Sequence, residues 1–516
     1  MLRVGIDVGG TNTDAVVLDA RAVLAGVKVS TSEDVTSGII EALEAVIDAA
    51  GITREAIGMV MIGTTHFTNA VIERREIEEV AAIRLALPAG AGLPPMIDWP
   101  KDIRGVVGNH VYQVKGGYEF DGREISPLDE DALVRIAGDI RAKGLKAAAV
   151  TGVFCGINDA MERRAGEVLQ AHCPGLSVVL SNDIGQHGLL ARESATIMNA
   201  SLLSLAERTV SAFAGALAGA GITCPFYVTQ NDGTLMAADI VREKPVLTFA
   251  SGPTNSMRGA AFLTGLREAI VVDVGGTTSD IGSLHLGFPR QAATTVDIGG
   301  VRTNFRMPDV LSIGLGGGSL VTDDGATIGP RSVGYRVSKE ALVFGGKTLT
   351  ATDIAVARGR TDIGERERVA RLDRALVERA GERIAEMIEQ CVERARVSAD
   401  PVPVIAVGGG SVLMPERIGD LKVVRPENFA VANAVGAAIA QISGETDRIF
   451  SLVEGRTRES ALAQAEDEAR GRAIEAGALA STLEVIERED TPLAYLPGNA
   501  TRIHVKVVGE MGAIDV

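Results

Sequence analysis

Cysteine and aromatic residues are scarce in this sequence. Its 516 residues include four cysteines, one tryptophan and only 3% aromatic residues. The cysteines stand far apart, at positions 155, 173, 224 and 391, so they form neither a CxxC pair nor a zinc-ligand spacing, and we expect them to be reduced. Because aromatic side chains are so few, stacking platforms for bases or sugars are poor explanations of the function.

An excess of basic residues is also missing. Lysine and arginine number 51 against 67 aspartate and glutamate residues, which gives a formal charge of −16 and argues against nucleic acid or an anionic membrane as a partner. The sequence has no uninterrupted apolar run of about 18 residues. It begins MLRVGIDVGG, with no charged leader before an apolar segment. We expect a cytoplasmic protein that acts on small molecules and contacts other proteins.

The length predicts about three domains, and a hydrophobic content of 46% is enough for a large core. Short apolar strands alternate with amphipathic helices, which is typical of an α/β fold. We predict a first domain over residues 1–190 with inserted loops at 88–127, and a second domain over 191–450. A small C-terminal α/β appendage over 451–516 would hold a charged helix and strands.

An internal repeat is the most informative feature of the sequence. Residues 7–14 read DVGGTNTD and residues 273–280 read DVGGTTSD, so six of eight positions are identical at an offset of 266. An apolar strand leads into each copy and further strands follow it. Two copies of one β-hairpin predict two related domains, most simply facing each other across a cleft.

Each copy of the repeat has the chemistry of a phosphate-binding turn. Glycines let backbone N–H groups converge on an anion, hydroxyls follow them, and an aspartate at the strand end is placed to hold Mg²⁺. The alternative is a pair of ordinary tight hairpins. Asp7 and Asp273 are therefore the candidate catalytic and metal-binding residues. The candidate phosphate-binding residues are Gly9, Gly10, Thr11, Asn12, Thr13, Gly275, Gly276, Thr277 and Thr278.

Two more glycine-rich segments are candidates for the same cleft. Gly408, Gly409 and Gly410 follow a buried strand, and this third turn would let an adenosine lie against the backbone. The loop SIGLGGGS at 312–319 permits close backbone approach to a ligand through Gly316 and Gly317. A near-match to a Walker A loop at 341–348 has alanine at its first position, so we set it aside.

The order of these turns, followed by a small-residue helix at 432–440, is similar to the actin, Hsp70 and sugar-kinase superfamily. A narrower resemblance is to the hydantoinase A and 5-oxoprolinase family. Its successive motifs resemble IGTTHFTNAVIERR (62–75), ESATIMNASL (193–202), YVTQNDGTLM (227–236), FASGPTNSMRGA (249–260), VVDVGGTTSDIG (271–282) and IGLGGGSLV (313–321).

The resemblance implies two actin-like (RNase H-like) ATPase domains around a nucleotide cleft, with ATP and Mg²⁺ as cofactors. It implies an ATP-dependent hydrolase of cyclic amides such as hydantoins or lactams, in which ATP phosphorylates the amide oxygen. In that family a B-type subunit or domain is thought to deliver the water that opens the ring. Since no B-type domain is recognisable here, we expect a partner subunit; a homo-oligomer is also compatible with the sequence.

Substrate residues are less determined by the sequence. The resemblance alone suggests Thr65 and Asn69. His66 stands where the family commonly has a small or apolar residue, and it is a candidate to orient or deprotonate the amide, although a structural histidine is the alternative. Asp232, in NDG, is a candidate substrate contact or simply a turn residue. Departures at SGPTNS and at GPRSVGYRVSKEAL (329–342) fall at expected substrate or partner surfaces.

Two other functions stay open at this point. A small-molecule kinase of the same superfamily would leave the phosphate on its product. An ATPase that reactivates or remodels a partner protein would turn over slowly and would ignore small cyclic amides.

Overall fold

The computed structural model describes residues 2–9, 12–20, 22–30, 35–185, 188–292, 296–304, 307–398, 400–452, 456–494 and 499–512. In chain order its strands are β1 Leu2–Val8, β2 Asn12–Asp19, β3 Ala22–Ser30, β4 Ile57–Thr64, β5 Val80–Leu87, β6 His110–Lys115, β7 Ala147–Gly152, β8 Ser177–Leu180, β9 Phe226–Thr229, β10 Thr234–Ala237, β11 Ala269–Val274, β12 Ser279–His285, β13 Phe288–Pro289, β14 Val296–Ile298, β15 Val301–Thr303, β16 Val310–Ile313, β17 Ser319–Thr322, β18 Thr327–Ser332, β19 Val404–Val407, β20 Arg417–Ile418, β21 Leu421–Val424, β22 Gln441–Phe450, β23 Glu484–Pro492 and β24 Thr501–Gly509.

The α-helices are α1 Val35–Ala50, α2 His66–Glu73, α3 Lys101–Val107, α4 Glu130–Lys143, α5 Ala160–His172, α6 Leu189–Ser201, α7 Leu203–Gly219, α8 Ala238–Glu243, α9 Ser251–Thr264, α10 Val337–Glu340, α11 Ala351–Ala357, α12 Arg374–Ala395, α13 Ala432–Ala438 and α14 Arg458–Glu475. The mixed α/β fold that the sequence predicts is confirmed.

Two sheets carry the two copies of the repeat. The first has nine strands in the order β23-β24-β22-β10-β9-β4-β1-β2-β3, and the second places β13-β12-β11-β19-β21-β20 side by side, with β16 also paired to β12. In each sheet the repeat is an antiparallel hairpin whose first strand is flanked by a parallel strand: β1 by β4 and β11 by β19. The two copies therefore build the same local architecture.

The sheets do not follow the boundaries that we predict at residues 190 and 450. Strands from all three predicted segments lie in the nine-stranded sheet, because β9, β10 and β22 return to it and β23 and β24 extend it. The predicted C-terminal appendage does contain a helix and two strands. Its backbone hydrogen bonds go to β22, so it is an edge of the first sheet.

Two helices join the sheets by unusually close packing. A Cβ added at Gly259 of α9 would lie 1.8 Å from the carbonyl oxygen of Ala432, and one at Gly436 of α13 would lie 1.8 Å from that of Asn255. Gly5 of β1 similarly admits the backbone of α13, since its Cβ would come within 2.1 Å of the oxygen of Ala434. Only glycine permits these contacts, which bring both helices under the strand ends.

A separate four-stranded parallel sheet, β6-β5-β7-β8, forms a further layer. The segment that we expect to be loops, 88–127, contributes β6 to this sheet and also contains α3. In the described part of the chain, no helix combines the length and the apolar character needed to cross a membrane.

Candidate functional site

Each of the two repeats places two acids opposite each other on neighbouring strands. Strand register pairs Asp7 with Asp14 across β1 and β2, and Asp273 with Asp280 across β11 and β12. The turns also match: the amide of Gly9 donates to the oxygen of Asn12 at 3.1 Å, and that of Gly275 to Thr278 at 2.9 Å. Thr13 is fully buried at the start of the return strand. Gly10 and Thr11 lie outside the described residues.

Asp7 is a buried carboxylate held by two amides. It is 4% exposed, and it accepts hydrogen bonds from Nδ2 of Asn433 at 2.9 Å and of Asn255 at 3.4 Å. Removal from water, and then the nearby Asp14 carboxylate, raise its pKa from 3.8 to about 6. The amides hold the carboxylate in place without neutralising its charge.

Consecutive residues of α9, Asn255 and Ser256, donate to Asp7 and to Asp273, so the acids of the two hairpins meet at one place, which we call the crevice. Lys28 of β3 contacts both carboxylate oxygens of Asp14, at 2.5 and 2.6 Å. Asp273 accepts a hydrogen bond from Oγ of Ser256 at 2.5 Å, and burial raises its pKa. The ammonium group of Lys28 opposes that rise and the Asp14 carboxylate adds to it, so Asp273 lies within electrostatic reach of the first hairpin.

Glycines make room for both strand-end carboxylates. A Cβ at Gly63 of β4 would lie 2.4 Å from Oδ1 of Asp7, and one at Gly408 would lie 2.2 Å from Oδ1 of Asp273. A larger residue at either position would displace the carboxylate. Each repeat therefore has a glycine on the neighbouring parallel strand or just after it, packed against its aspartate.

The SIGLGGGS loop supports the second turn from behind. The amide of Gly317 donates to the oxygen of Gly275 at 3.0 Å, and a Cβ at Gly316 would lie 2.5 Å from the amide nitrogen of Thr277. The amide of Gly317 is thus already used. The loop thereby fixes the second turn, and the close approach of its backbone to a ligand stays a prediction.

Two amides of the second turn stay open. Among the described residues, the backbone N–H groups of Gly276 and Thr277 donate to no acceptor. Thr278 beside them is exposed. Unpaired amides in a glycine turn, next to a strand end, have the chemistry of an anion-binding turn.

The third glycine turn packs against the second. Gly408 donates its amide to the oxygen of Phe429 at 2.9 Å, and a Cβ at Gly410 would lie 2.6 Å from the oxygen of Gly275. Gly409 is exposed and a Cβ there would meet nothing within 4 Å. A cavity of about 430 Å³ lies beside this turn, with Arg360 and Arg425 in its wall.

Thr65, His66 and Asn69 cluster at the end of β4, where α2 begins. Asn69 donates to Oγ1 of Thr65 at 3.3 Å. The His66 ring is 3.8 Å from a carboxylate oxygen of Glu76, and burial lowers its pKa, so it is neutral at pH 7. Its charged neighbours are Glu76, Arg208 and Glu73, and none of the four crevice acids is among them.

Asp232 has a different environment from the crevice acids. It is 8% exposed, and its carboxylate contacts the ammonium group of Lys506, which is 1% exposed. It also accepts from the amide of Thr234 at 2.9 Å. The structure therefore gives Asp232 a role in a buried ion pair between the β9–β10 turn and β24.

The described residues contain no cluster of three or more His, Cys, Asp or Glu side chains suited to a metal ion. Mg²⁺ commonly uses one or two carboxylates and completes its shell with phosphate oxygens and water. The pair Asp7 and Asp273 fits that donor set, since both are desolvated carboxylates in one crevice and a divalent cation would offset their charge.

Two models from one protein family match most of the sequence. A model of the hydantoinase/oxoprolinase N-terminal region matches residues 3–173, and a model of hydantoinase/oxoprolinase matches residues 192–393. The chain belongs to the hydantoinase/oxoprolinase family. The resemblance read from the motifs is thereby confirmed.

Curated relatives from this family are named as enzyme subunits. The chain is 28% identical to caprolactamase subunit alpha of Pseudomonas jessenii over 481 residues, which is 87% of this chain and 67% of that protein. It is 25% identical to the acetophenone carboxylase gamma subunit of Aromatoleum aromaticum over 395 residues, 69% of this chain and 53% of that protein. The chain thus spans only about half to two thirds of these relatives' lengths.

Solved structures of the family share the fold. The crystal structure of ATP-dependent caprolactamase from Pseudomonas jessenii superposes with a TM-score of 0.79 at 21% identity, covering 99% of this chain and 88% of that one. Nucleotide-free acetone carboxylase gives 0.68 at 17% identity, with the same coverages. At these identities the likeness shows that this chain shares the overall fold of the two enzymes.

Four residues at the crevice are absent from the sequence-based candidates: Lys28, Asn255, Ser256 and Asn433. The register of the first hairpin contained a signal for Lys28, because it stands opposite Asp14 on the adjacent strand. Asn255 and Ser256 lie inside the SGPTNS motif. Asn433 reads as one polar residue in a small-residue helix, and no local pattern marks it.

Proposed function

We propose that this chain is the ATP-using part of a cyclic-amide hydrolase: it binds ATP across the two hairpins and transfers the terminal phosphoryl group to the amide oxygen of its substrate. The observation that carries the proposal is the shared crevice. Asp7 and Asp273 come from related hairpins 266 residues apart in sequence, yet two consecutive residues of α9, Asn255 and Ser256, donate to them. Binding a triphosphate together with its cation requires protein groups on both sides of the ligand.

Each part of the crevice has a task in this proposal. The open amides of Gly276 and Thr277 bind phosphate oxygens, and Asp7 and Asp273 hold Mg²⁺. The third glycine turn and the cavity beside it take the nucleoside. Mg²⁺, when bound, neutralises charge on the phosphates. Asn255 and Asn433 hold the Asp7 carboxylate so that little reorganisation is needed during transfer.

The low reactivity of an amide explains why its hydrolysis would consume ATP. An amide nitrogen is a poor leaving group, and its carbonyl resists attack by water. Transfer of the γ-phosphoryl group to the amide oxygen, with loss of the N–H proton, releases ADP and gives an imidate phosphate, which water attacks far more readily. The amine then leaves, which opens the ring and gives an acyl phosphate, and a second water releases orthophosphate and the carboxylate. His66, neutral at pH 7, has the capacity to accept a proton from the amide nitrogen.

The hydrolytic half of the reaction is assigned to a partner. Caprolactamase alpha and the carboxylase gamma protein are each named as one subunit of an enzyme, and both are longer than this chain. We propose that a B-type subunit supplies the water that completes ring opening. Phosphorylation without the partner would then be slow or unproductive.

The test is product analysis with the purified chain, Mg²⁺ and ATP. Hydantoin, 5-oxoproline and caprolactam are each offered with and without a B-type subunit, and orthophosphate and ring-opened amine are measured. The proposal requires substrate-dependent orthophosphate with ring opening, lost in Asp273→Asn and kept in Asp420→Asn, a matched change at an exposed turn aspartate. A stable phosphorylated product would instead show a kinase. Turnover stimulated only by a protein would show a remodelling ATPase.

A further inference from the structure

A second cavity lies apart from the crevice. It has a volume of about 610 Å³ and is bounded by loops at the end of the four-stranded sheet, the β9–β10 turn, and residues 445–448 of β22. Five basic and four acidic side chains line it, and none of Asp7, Asp14, Asp273 and Asp280 does. The segments that meet here come from distant parts of the chain, so the cavity is a product of the tertiary fold.

The acidic side chains of this cavity already have partners inside the protein. Asp232 contacts Lys506, and Asp447 accepts a hydrogen bond from Arg502 at 2.8 Å. Glu445 lies 2.8 Å from the ring of His504. Asp183 lies 3.8 Å from Arg163. The acids therefore have little remaining capacity to attract a cationic ligand.

Three of the five basic side chains also have partners: Arg163 pairs with Asp159 at 2.6 Å and Arg448 with Glu468 at 3.1 Å, and Arg192 donates to Oγ of Ser181 at 2.9 Å. Lys244 and Arg472 are less well neutralised. Lys244 is half-buried, and its ammonium group has no hydrogen-bond or ion-pair partner within the described ranges. Arg472 donates to a backbone carbonyl, that of Glu445 at 2.5 Å, and makes no ion pair there. Lys244 and Arg472 are thus cationic groups of the lining without a carboxylate partner among the described residues, and they favour an anionic ligand.

A buried hydrogen-bond donor in the cavity wall requires an acceptor atom on the ligand. Asn231 is 4% exposed, and its Nδ2 has no hydrogen-bond partner. The Asn231 backbone is fixed, because its amide donates to Leu247 at 2.7 Å and its carbonyl accepts from Oγ1 of Thr254 at 2.8 Å. A buried amide without an acceptor costs free energy, which a ligand oxygen in the cavity would recover.

We propose that this cavity is a binding site for a small organic carboxylate that also presents a second hydrogen-bond acceptor. The carboxylate pairs with Lys244 and the acceptor oxygen meets Nδ2 of Asn231. The site is connected to the crevice through α9, where Thr254 contacts Asn231 and the next residue, Asn255, contacts Asp7. The inference does not depend on phosphoryl transfer.

Direct binding without nucleotide tests the site. Titration calorimetry would compare L-5-oxoproline with 2-pyrrolidinone, which has the same ring and amide but no carboxylate, and with inorganic phosphate. We expect saturable binding of the carboxylate alone, weakened about tenfold or more in Lys244→Ala and in Asn231→Leu. Lys422→Ala, at an exposed lysine of β21, is the matched control and keeps full affinity.

Three outcomes overturn the proposal: equal binding of 2-pyrrolidinone, preferential binding of phosphate, or an affinity that neither variant changes. Lys244 also borders another cavity, beside β8, whereas Asn231 borders only this one of the two. If Lys244→Ala weakens binding and Asn231→Leu does not, the ligand binds in that other cavity and the proposal is wrong. If Asn231→Leu lowers the melting temperature sharply, Asn231→Ser, which removes the same donor with less bulk, replaces it in the comparison.

Discussion

Replacing Asp7 by asparagine should stabilise the protein while it abolishes turnover. The Asp7 carboxylate is buried, and its pKa rises from 3.8 to about 6 on folding. At about 1.4 kcal/mol for each pH unit, carrying this charge at pH 7.5 costs the folded state about 3 kcal/mol. Asparagine avoids that cost but loses an acceptor for one of the two amides, worth about 1 kcal/mol. The net gain is about 2 kcal/mol.

The pH dependence of the stability difference tests the sign of this effect independently. Because the folded pKa of Asp7 is raised, its favourable contribution is complete below about pH 4 and disappears as the pH rises through about 6. The advantage of Asp7→Asn should therefore be absent near pH 4, grow between pH 4 and 6, and stay constant above that.

The assay is the melting temperature of both proteins from pH 4 to 8 without nucleotide, together with Mg²⁺-dependent ATPase activity. Melting temperature is preferred to an extrapolated free energy, since a chain with several sheets need not unfold in one step. Asp420→Asn, at an exposed position, should show neither effect. A less stable Asp7→Asn protein, with a deficit independent of pH, would refute the argument that Asp7 is a desolvated charge.

Three further changes test the surroundings of the crevice. Gly316→Ala should weaken nucleotide binding about tenfold or more in a fluorescent-nucleotide titration, because its Cβ would lie 2.5 Å from the second turn. Gly409→Ala is the control and should bind nucleotide normally, since its Cβ would meet nothing within 4 Å. Asp232→Asn should lower the melting temperature, because it leaves the Lys506 ammonium group buried without its carboxylate partner, a change that typically costs about 3–5 kcal/mol. Adding Lys506→Met should restore most of the loss, and an equal fall in both proteins would contradict this. His66→Gln should lower substrate-dependent kcat by about a hundredfold or more without changing nucleotide affinity, and an unchanged kcat would make His66 structural.

The sequence was sufficient to predict those parts of the site that are local in the chain. Each hairpin is one short segment, so its turn, its strand-end aspartate and the opposing Asp14 or Asp280 follow from eight residues. Duplication then implied two equivalent halves. The α/β class followed in the same way from local apolar periodicity, and the motif order identified the family.

What could not be predicted depends on contacts between distant segments. Asn433 reaches Asp7 across 426 residues and Lys506 reaches Asp232 across 274, and neither partner has a local pattern that marks it. The same limit explains Gly317. Its glycine-rich loop has the composition of a ligand loop, but only the packing of β17 and its neighbours on the second hairpin shows that its amide is already used.

The two repeats differ in whether a basic side chain neutralises their acids, and this difference decides which acids a bound cation would stabilise most. In the first sheet β3 runs along the whole of β2, so a lysine at position 28 stands opposite Asp14. In the second, β13 is two residues long and pairs only with the far end of β12, and β16 covers the Asp280 position with Ser312 instead. A hydroxyl now contacts Asp280, whose pKa burial raises to about 6. Within the described residues no basic side chain forms an ion pair with Asp273 or Asp280, whereas Lys28 neutralises Asp14. Asp273 and Asp280 are therefore the acids of the crevice whose charge a divalent ion, when bound, would offset most.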